Sequence, residues 1–413
     1  MSCIFTFGND KSFKEQIANG EKKLIQVRQQ ASQLYFAYHL SKTMISRRLG
    51  VGKPFVIKWT QSPDQDFTRD ERGWPKGKPR RWNQTTLKVI KTIHQELTGD
   101  PHRFFTGATA IETEWRRRYP EQSPPPIRTI GQLLKELGLT SPRKHHRSKG
   151  AARYLCYPEH TIYHLLGGRL LEADFIGQKY LAGHSQPLQF IAFSFKHSPK
   201  LRYFQRVTAQ TADVFTTESG RFFDRYETPE FLKVDNCLAT IGSASGKRNL
   251  SKTMKFLLSH QVIPIFAVPR KPFSQASIEG NNSVFSRMFW NKRRFESPEQ
   301  VDQVLDWFNR DSELYTGYQS PKNHRSTKNS FIPKIYFLRQ VKEHPTRKQT
   351  AAINVLNEQI NLPSEFINYF VLAEWLLDEE RILVRFERDL HSLVIHEQVF
   401  RINERSKNIK LDR

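Results

Sequence analysis

The chain has 413 residues, of which 38% are hydrophobic, enough for two to four domains with real cores and too many for a disordered tail. Its 65 Lys and Arg against 41 Asp and Glu leave a formal charge of +24, which points to a polyanionic partner, nucleic acid ahead of an acidic membrane surface. Cys3, Cys156 and Cys237 are too few and too scattered for a disulfide framework. No apolar run approaches the roughly 20 residues of a bilayer span, and Met1 to Asp10 lack the basic-then-apolar signature of a signal peptide. A cytoplasmic location without a membrane partner is therefore expected. The charge is graded: residues 1–160 carry 29 basic and 14 acidic groups, 161–345 carry 26 and 16, and 346–413 carry 10 and 11. The first two-fifths of the chain is the expected primary nucleic-acid surface.

Between Gln33 and Thr60, apolar residues recur at helical spacing and break at Gly50 and Gly52, the outline of a helix-turn-helix. Leu40, Ile45 and Leu49 should pack against Val56, Ile57 and Trp59, leaving Arg47, Arg48, Lys53 and Lys58 for phosphates. Residues 1–70 are read as this first DNA-binding domain. The stretch RGWPKGKPRRW, within a basic linker at 71–82, has turn chemistry and high charge, so Arg80 and Arg81 are candidates to lie on DNA. A helical pattern then runs through Leu87, Ile90, Ile93 and Leu97, followed by Ala108 to Tyr119 with Arg116, Arg117 and Arg118. After Pro124 to Pro126, Thr129 should cap a helix that buries Leu133, Leu134 and Leu137. Residues 83–145 thus suggest a second, winged helix-turn-helix domain, with Arg128 as a DNA contact. A basic, turn-rich linker closes it at 146–164. His145, His146, Cys156, His160 and His164 fit no standard zinc spacing.

From about Arg169 the period becomes that of strands. LLEADFIG, LQFIAFSFK and RYFQRVT precede a helix over Thr211 to Tyr226; FLKVDN and VIPIFAV follow, then helices over Gln275 to Arg294 and Ser297 to Tyr315. This order, over 165–330, predicts an α/β block with a mixed sheet. Residues 346–413 alternate apolar and charged positions, as a small β-barrel would. The expected class is multidomain α+β.

Three carboxylates stand out. Asp174 lies inside an apolar strand run, where a charge is costly without a cation nearby. Asp235 ends the run Phe231 to Val234, at the carboxyl end of a strand, where α/β sheets place their chemistry. Glu279 opens the helix after the proline-punctuated loop AVPRKPFS. Carboxylates converging at ~4 Å repel by roughly 4 kcal/mol per pair at an effective dielectric near 20, which a divalent metal would relieve. Oxygen ligands suit Mg²⁺ or Mn²⁺, and two such ions can serve an in-line displacement at phosphorus. Glu172, two residues before Asp174 on the same strand face, could take its place. No nucleophile elbow is present, and GSASGKR lacks the order of a phosphate loop.

An Asp in a first strand, Asp235-Asn236 ending a fourth, and Pro-x-x-Pro-x-x-Gln-x-x-x-Glu-Gly leading a helix resemble the DDE core of retroviral integrases and of insertion-sequence transposases. The resemblance covers about residues 165 to 315. It implies an RNase H-like catalytic core, two Mg²⁺ or Mn²⁺ ions on Asp174, Asp235 and Glu279, cleavage at element ends and attack of the freed 3′-hydroxyl on target DNA. It also implies a dimer or larger assembly on DNA, in a bacterial, nucleoid-associated setting. Three departures are visible. Cys237 stands where much of that family has Gly; the 44 positions from Asp235 to Glu279 are long for it; and Ser286, with Arg287 next, occupies a usually basic position. The extra length is assigned to IGSASGKRNLSKT (241–253), a basic, flexible insert expected to touch DNA. Asn282 and Arg287 are read as DNA contacts. Two alternatives stay open: a nuclease of the same fold that never joins ends, and a non-catalytic DNA-binding assembly factor.

Overall fold

The computed structural model describes residues 21–68, 82, 84–140, 169–195, 200–242, 246–319, 331–343, 350–388 and 391–403. It divides into two compact units, Met1–Arg81 and Trp82–Arg413.

In the first unit, α1 (Glu21–Phe36), α2 (Lys42–Leu49) and α3 (Lys53–Lys58) bury Val27, Ala31, Leu34, Ile45, Leu49 and Val56 together. The Ser41 hydroxyl caps α2 by accepting the Met44 N–H at 3.3 Å, and Gly50 ends the helix at φ 63°, a left-handed conformation that glycine holds without a Cβ penalty. Two expectations change here. Half of the core comes from α1, which begins well before Gln33, and Ile57 is 44% exposed instead of packed. Trp59 is buried, as its place in the expected packing requires, beneath the Arg28 guanidinium, 4.2 Å from its ring.

The second unit begins with α4 (Gln84–Gly99), α5 (Ala108–Arg118) and α6 (Ile127–Glu136). Helix α6 starts directly after Pro126 with no side-chain cap, so Thr129 lies inside it and is not its cap. Among the described residues of 83–145 there is no strand; residues 141–145, the expected linker at 146–164 and with them His145, His146, Cys156, His160 and His164 lie outside the described residues. The basic run of α5 is largely neutralised in place: Arg116 pairs with Glu112, Arg117 with buried Glu114, and Arg118 with both Glu114 and Glu96. Burial pushes the Glu114 carboxyl up, but these guanidiniums and Arg103 outweigh that and hold it below the usual range.

The core of this unit is a sheet built from β1 (Leu170–Lys179), β2 (Leu188–Phe195), β3 (Leu201–Val207), β4 (Phe231–Val234), β5 (Ile263–Phe266), β6 (Lys334–Gln340), β10 (Phe370–Leu376), β11 (Arg381–Arg388) and β12 (His391–Val399). Its order is β12-β11-β10-β6-β5-β4-β1-β2-β3. β1, β2 and β3 are antiparallel neighbours, and β4 and β5 run parallel to β1, the mixed sheet expected and consistent with an RNase H-like core. Helix α7 (Ala212–Arg225) makes the crossover to β4, and α8 (Leu238–Ile241) and α9 (Lys252–Ser259) make that to β5. Helix α11 (Pro298–Thr316) covers β3, where the buried Asn309 side chain accepts the Phe204 N–H at 2.9 Å and donates to its carbonyl at 2.8 Å. The edge strand is thereby closed off.

Beyond β6, the separate barrel expected at 346–413 is not what is built. β10 pairs antiparallel with β6, so β10 to β12 continue the central sheet, while β7 (Lys342–Glu343), β8 (Ala351–Val355) and β9 (Glu358–Leu362) form a second, three-stranded sheet. The reason lies in side chains: alternation marks a half-buried strand without naming its neighbour, and Tyr336 and Phe337 of β6 find theirs in Ile265 and Phe266 of β5.

Candidate active site

β1 and β4 pair in parallel with Leu170 opposite Phe231, Leu171 opposite Leu232 and Glu172 opposite Lys233. Two residues further along that register, Asp174 comes level with Asp235, at the end of β4. Neighbouring strands lie about 4.8 Å apart, so the two carboxylates are held near each other by the ladder itself. Helix α10 (Ala276–Val284) lies across β1 and β2 and brings Glu279 on its first turn.

Three contacts fix that helix. The Ile278 N–H donates to Glu172 Oε2 at 2.9 Å, Asn281 donates to the Ser194 hydroxyl, and Asn282 Nδ2 donates to Asp174 Oδ2 at 3.0 Å. Positions 278, 281 and 282 share one helix face, which explains why one strand pair can hold all three. Glu172 therefore does not replace Asp174. It is buried, pairs with buried Lys233 at 3.8 Å and caps the first turn of α10; Lys233 also donates to the Ser274 carbonyl just before that helix. The pair was missed in the sequence, although a Lys inside the buried run Phe231–Val234 signals a buried counter-charge.

Asp174 is the electrostatic centre of the group. Burial, then the negative charge of Asp235, and then that of Glu279, push its carboxyl up to about 7, against the bond from Asn282. Partial burial and the charge of Glu172 also raise Glu279, which remains exposed on the helix. The Asp235 side chain accepts the Cys237 N–H at 3.2 Å, while the Thr240 hydroxyl donates to the Asp235 carbonyl at 2.8 Å. Asn236 donates to the Ala267 carbonyl at 2.6 Å and accepts from Arg339 at 3.0 Å. These bonds fasten the strand end. The Cys237 thiol is pushed up to about 11, by burial and then by Asp235, which disqualifies it as a nucleophile.

Among the described residues, no three His, Cys, Asp or Glu side chains are gathered tightly enough to hold a metal ion as they stand. The donor set nevertheless fits a hard divalent cation. It is all oxygen, its negative charge is uncompensated enough to raise Asp174, and the buried Asn282 Oδ1 beside it has no hydrogen-bond partner.

The other candidates are spread out. Arg47, Arg48 and Lys53 are exposed on α2 and α3, Lys58 is half-buried against Trp59, and Arg128 is exposed on α6. Arg80 and Arg81 lie outside the described residues. Arg287 is exposed and its Nε donates to the Ser283 carbonyl at 3.3 Å within its own helix, while Ser286 accepts from Lys179 at 3.4 Å. In the insert 241–253, residues 243–245 lie outside the described residues, but the following part is tied down. The Arg248 N–H donates to the Leu356 carbonyl at 3.1 Å, the Asn357 side chain donates to the Gly246 carbonyl at 3.1 Å, and Glu358 stands 3.8 Å from Lys247 and 3.9 Å from Arg248. The described part of the insert thus fastens the β8–β9 hairpin instead of hanging free.

No protein-family model and no curated protein matches the sequence. Among solved structures, the chain is similar to the catalytic core domain of BIV integrase at 16% identity, over 38% of this chain and 90% of that one, with a TM-score of 0.27. A simian T-cell lymphotropic virus intasome in complex with a PP2A regulatory subunit matches at 11% identity over 67% and 97%, with a TM-score of 0.32. The Mos1 transposase paired-end complex with the left transposon end matches at 12% identity over 72% and 93%, with a TM-score of 0.26. Overlaps this loose carry no argument about chemistry, and the site stands on its own residues.

Proposed function

We propose that this protein is a DNA strand transferase of the transposase and integrase kind, using Asp174, Asp235 and Glu279 on a divalent metal. The observation that carries the reading is that Asp174 on β1 and Asp235 just after β4 come level when the parallel register is continued, with Asp174 raised to about 7 by burial and by the charges of Asp235 and Glu279. A net charge of +24 supplies the affinity for a polyanion.

In this reading Asp174, Asp235 and Glu279 would hold Mg²⁺ or Mn²⁺, with Glu279 supplied by the exposed first turn of α10. When bound, the ions supply charge neutralisation at phosphorus and activate the attacking oxygen. The chain's own residues do the rest. Glu172 and Lys233 hold the start of α10 in place, Asn282 orients Asp174, and Asn236 with Thr240 keeps Asp235 at the strand end. Arg47, Arg48, Lys53 and Lys58 on the first unit, and Arg128, Asn282 and Arg287 on the second, contact DNA, as do Arg80 and Arg81. Joining two ends calls for two active sites, hence a dimer or larger assembly on DNA.

The test uses the full chain with labelled DNA ends and Mg²⁺ or Mn²⁺. Asp174→Asn, Asp235→Asn and Glu279→Gln are each expected to abolish cleavage and joining, by a factor of roughly a thousand or more, while DNA binding persists. Unchanged joining in any variant removes that residue from the site. Pre-cleaved ends with a free 3′-hydroxyl that are never joined would identify a nuclease instead.

A further inference from the structure

Beside the carboxylates, on the far side of Asn236, lies a cleft of about 660 Å³ between the loop after β5, the end of β6 and the β8–β9 hairpin. Among the described residues four cations line it, Arg270, Lys271, Arg339 and Lys342, and no acidic side chain does. Arg339 is 5% exposed. Its donors reach the carbonyls of Asn354 at 2.8 Å, Ala267 at 3.2 Å and Leu338 at 2.8 Å, and the Asn236 side chain at 3.0 Å. A guanidinium has five N–H groups, so one is left over, and none of these acceptors is a carboxylate. Burial accordingly lowers its affinity for the proton, to a pKa of about 9. A buried cation without a counter-charge, flooring a cleft, asks for an anion.

Size and lining narrow the anion further. The volume lies within the roughly 300–1,000 Å³ of small-ligand sites, more than a lone phosphate needs. Among the described residues no aromatic side chain lines the cleft, so the described lining offers no platform on which a base could stack. What remains is contact with phosphates in series. Asn236 joins the two places, being next to Asp235 in the chain and bonded to Arg339. Arg270, at the rim, is held at φ 58°, a conformation unusual for a non-glycine residue and common where function imposes strain.

We propose that this cleft takes the phosphodiester backbone of the DNA strand leading into Asp235, with Arg339 at its floor and Arg270, Lys271 and Lys342 at its rim. The inference deepens the strand-transfer reading and rests on it for the identity of the strand. The test measures binding alone, with full chains carrying Asp174→Asn, in EDTA, on a duplex bearing a single-stranded extension. Adding Arg270→Glu and Lys342→Glu, both exposed positions, is expected to weaken binding at least tenfold. It should also lower the slope of log affinity against log salt by roughly 1.4 to 1.8, the equivalent of two phosphates. Arg270→Lys with Lys342→Arg should restore both, with thermal melting unchanged throughout. Unaltered affinity and slope in the charge-reversed chain would overturn the cleft assignment, as would a deoxynucleoside monophosphate that competes as strongly as the strand. Failure of the catalytic reading shows separately, as an unreactive wild-type chain in Mg²⁺.

Discussion

Asp174 sits within an apolar strand, facing Asp235 along the β1–β4 register and taking one bond from Asn282. Its carboxyl is pushed up to about 7, whereas in the unfolded chain it ionises near the ordinary 3.8 of an Asp. At this one carboxyl the folded protein holds a proton that the unfolded chain has lost between those two values, so without metal the contribution of Asp174 to stability falls as pH rises from about 4 through 7. Replacing Asp174 by Asn removes that dependence. Thermal melting in EDTA should give Asp174→Asn a midpoint a few degrees above wild type at pH 8 and no advantage at pH 4. Mg²⁺ should raise the wild-type midpoint more at pH 8 than at pH 5, since it competes with the proton. The same pH profile in wild type and Asp174→Asn would show that Asp174 titrates as an ordinary surface carboxylate. The position of Asp174 in a strand was legible from its neighbours; its raised proton affinity was not, because that depends on charges 61 and 105 positions away in sequence, at Asp235 and Glu279.

At the scale of elements, the start of α10 is the decisive junction. Glu172 on β1 caps it, Lys233 on β4 neutralises Glu172 and also binds the Ser274 carbonyl, and Ser194 on β2 accepts from Asn281. Truncating one member of a buried pair leaves the other charge uncompensated. Glu172→Ala should therefore cost about 3–5 kcal/mol in urea unfolding. Adding Lys233→Met to it should recover much of that loss, and a double variant no more stable than the single one would deny the pairing. The sequence suggested one helix from Gln275 to Arg294; the structure splits it, with a π-turn at Phe285–Phe289 that buries both phenylalanines against Phe204, Phe190 and Phe308. Local periodicity could not reveal this, because the inserted residue in the turn answers to packing partners on other elements.

Over the whole molecule, the second group of helices is part of the larger unit. Asp311 of α11 accepts the backbone N–H groups of Phe104 at 2.6 Å and Phe105 at 3.0 Å and pairs with Arg103 at 2.8 Å, fastening the α4–α5 turn to the core. Phe104 and Phe105 then enter the same aromatic cluster as Phe289 and Phe308. The unit Met1–Arg81 keeps its own core and presents Arg47 and Lys53 to solvent. If these two meet phosphates, Arg47→Glu with Lys53→Glu should reduce the log–log salt slope of end binding by roughly 1.8. Catalysis on saturating DNA should persist. An unchanged slope in a filter-binding or anisotropy titration would place the contact elsewhere.

Sequence by itself determined the basic charge and its gradient, the alternation of the strands, the helical runs around them, and three carboxylates, one within a strand, one at a strand end and one at a helix start. Each of these follows from composition or from a local period, which a chain carries with it before it folds. Tertiary structure alone decided that Asp174 comes level with Asp235 on the β1–β4 register, that Glu172 caps α10 instead of joining the site, that β10 to β12 extend the central sheet, and that Arg339, bonded to carbonyls and to Asn236, floors a cleft beside Asn236. All four depend on which strand lies next to which and in what register. A period of two identifies the buried face of a strand and leaves its neighbour unspecified.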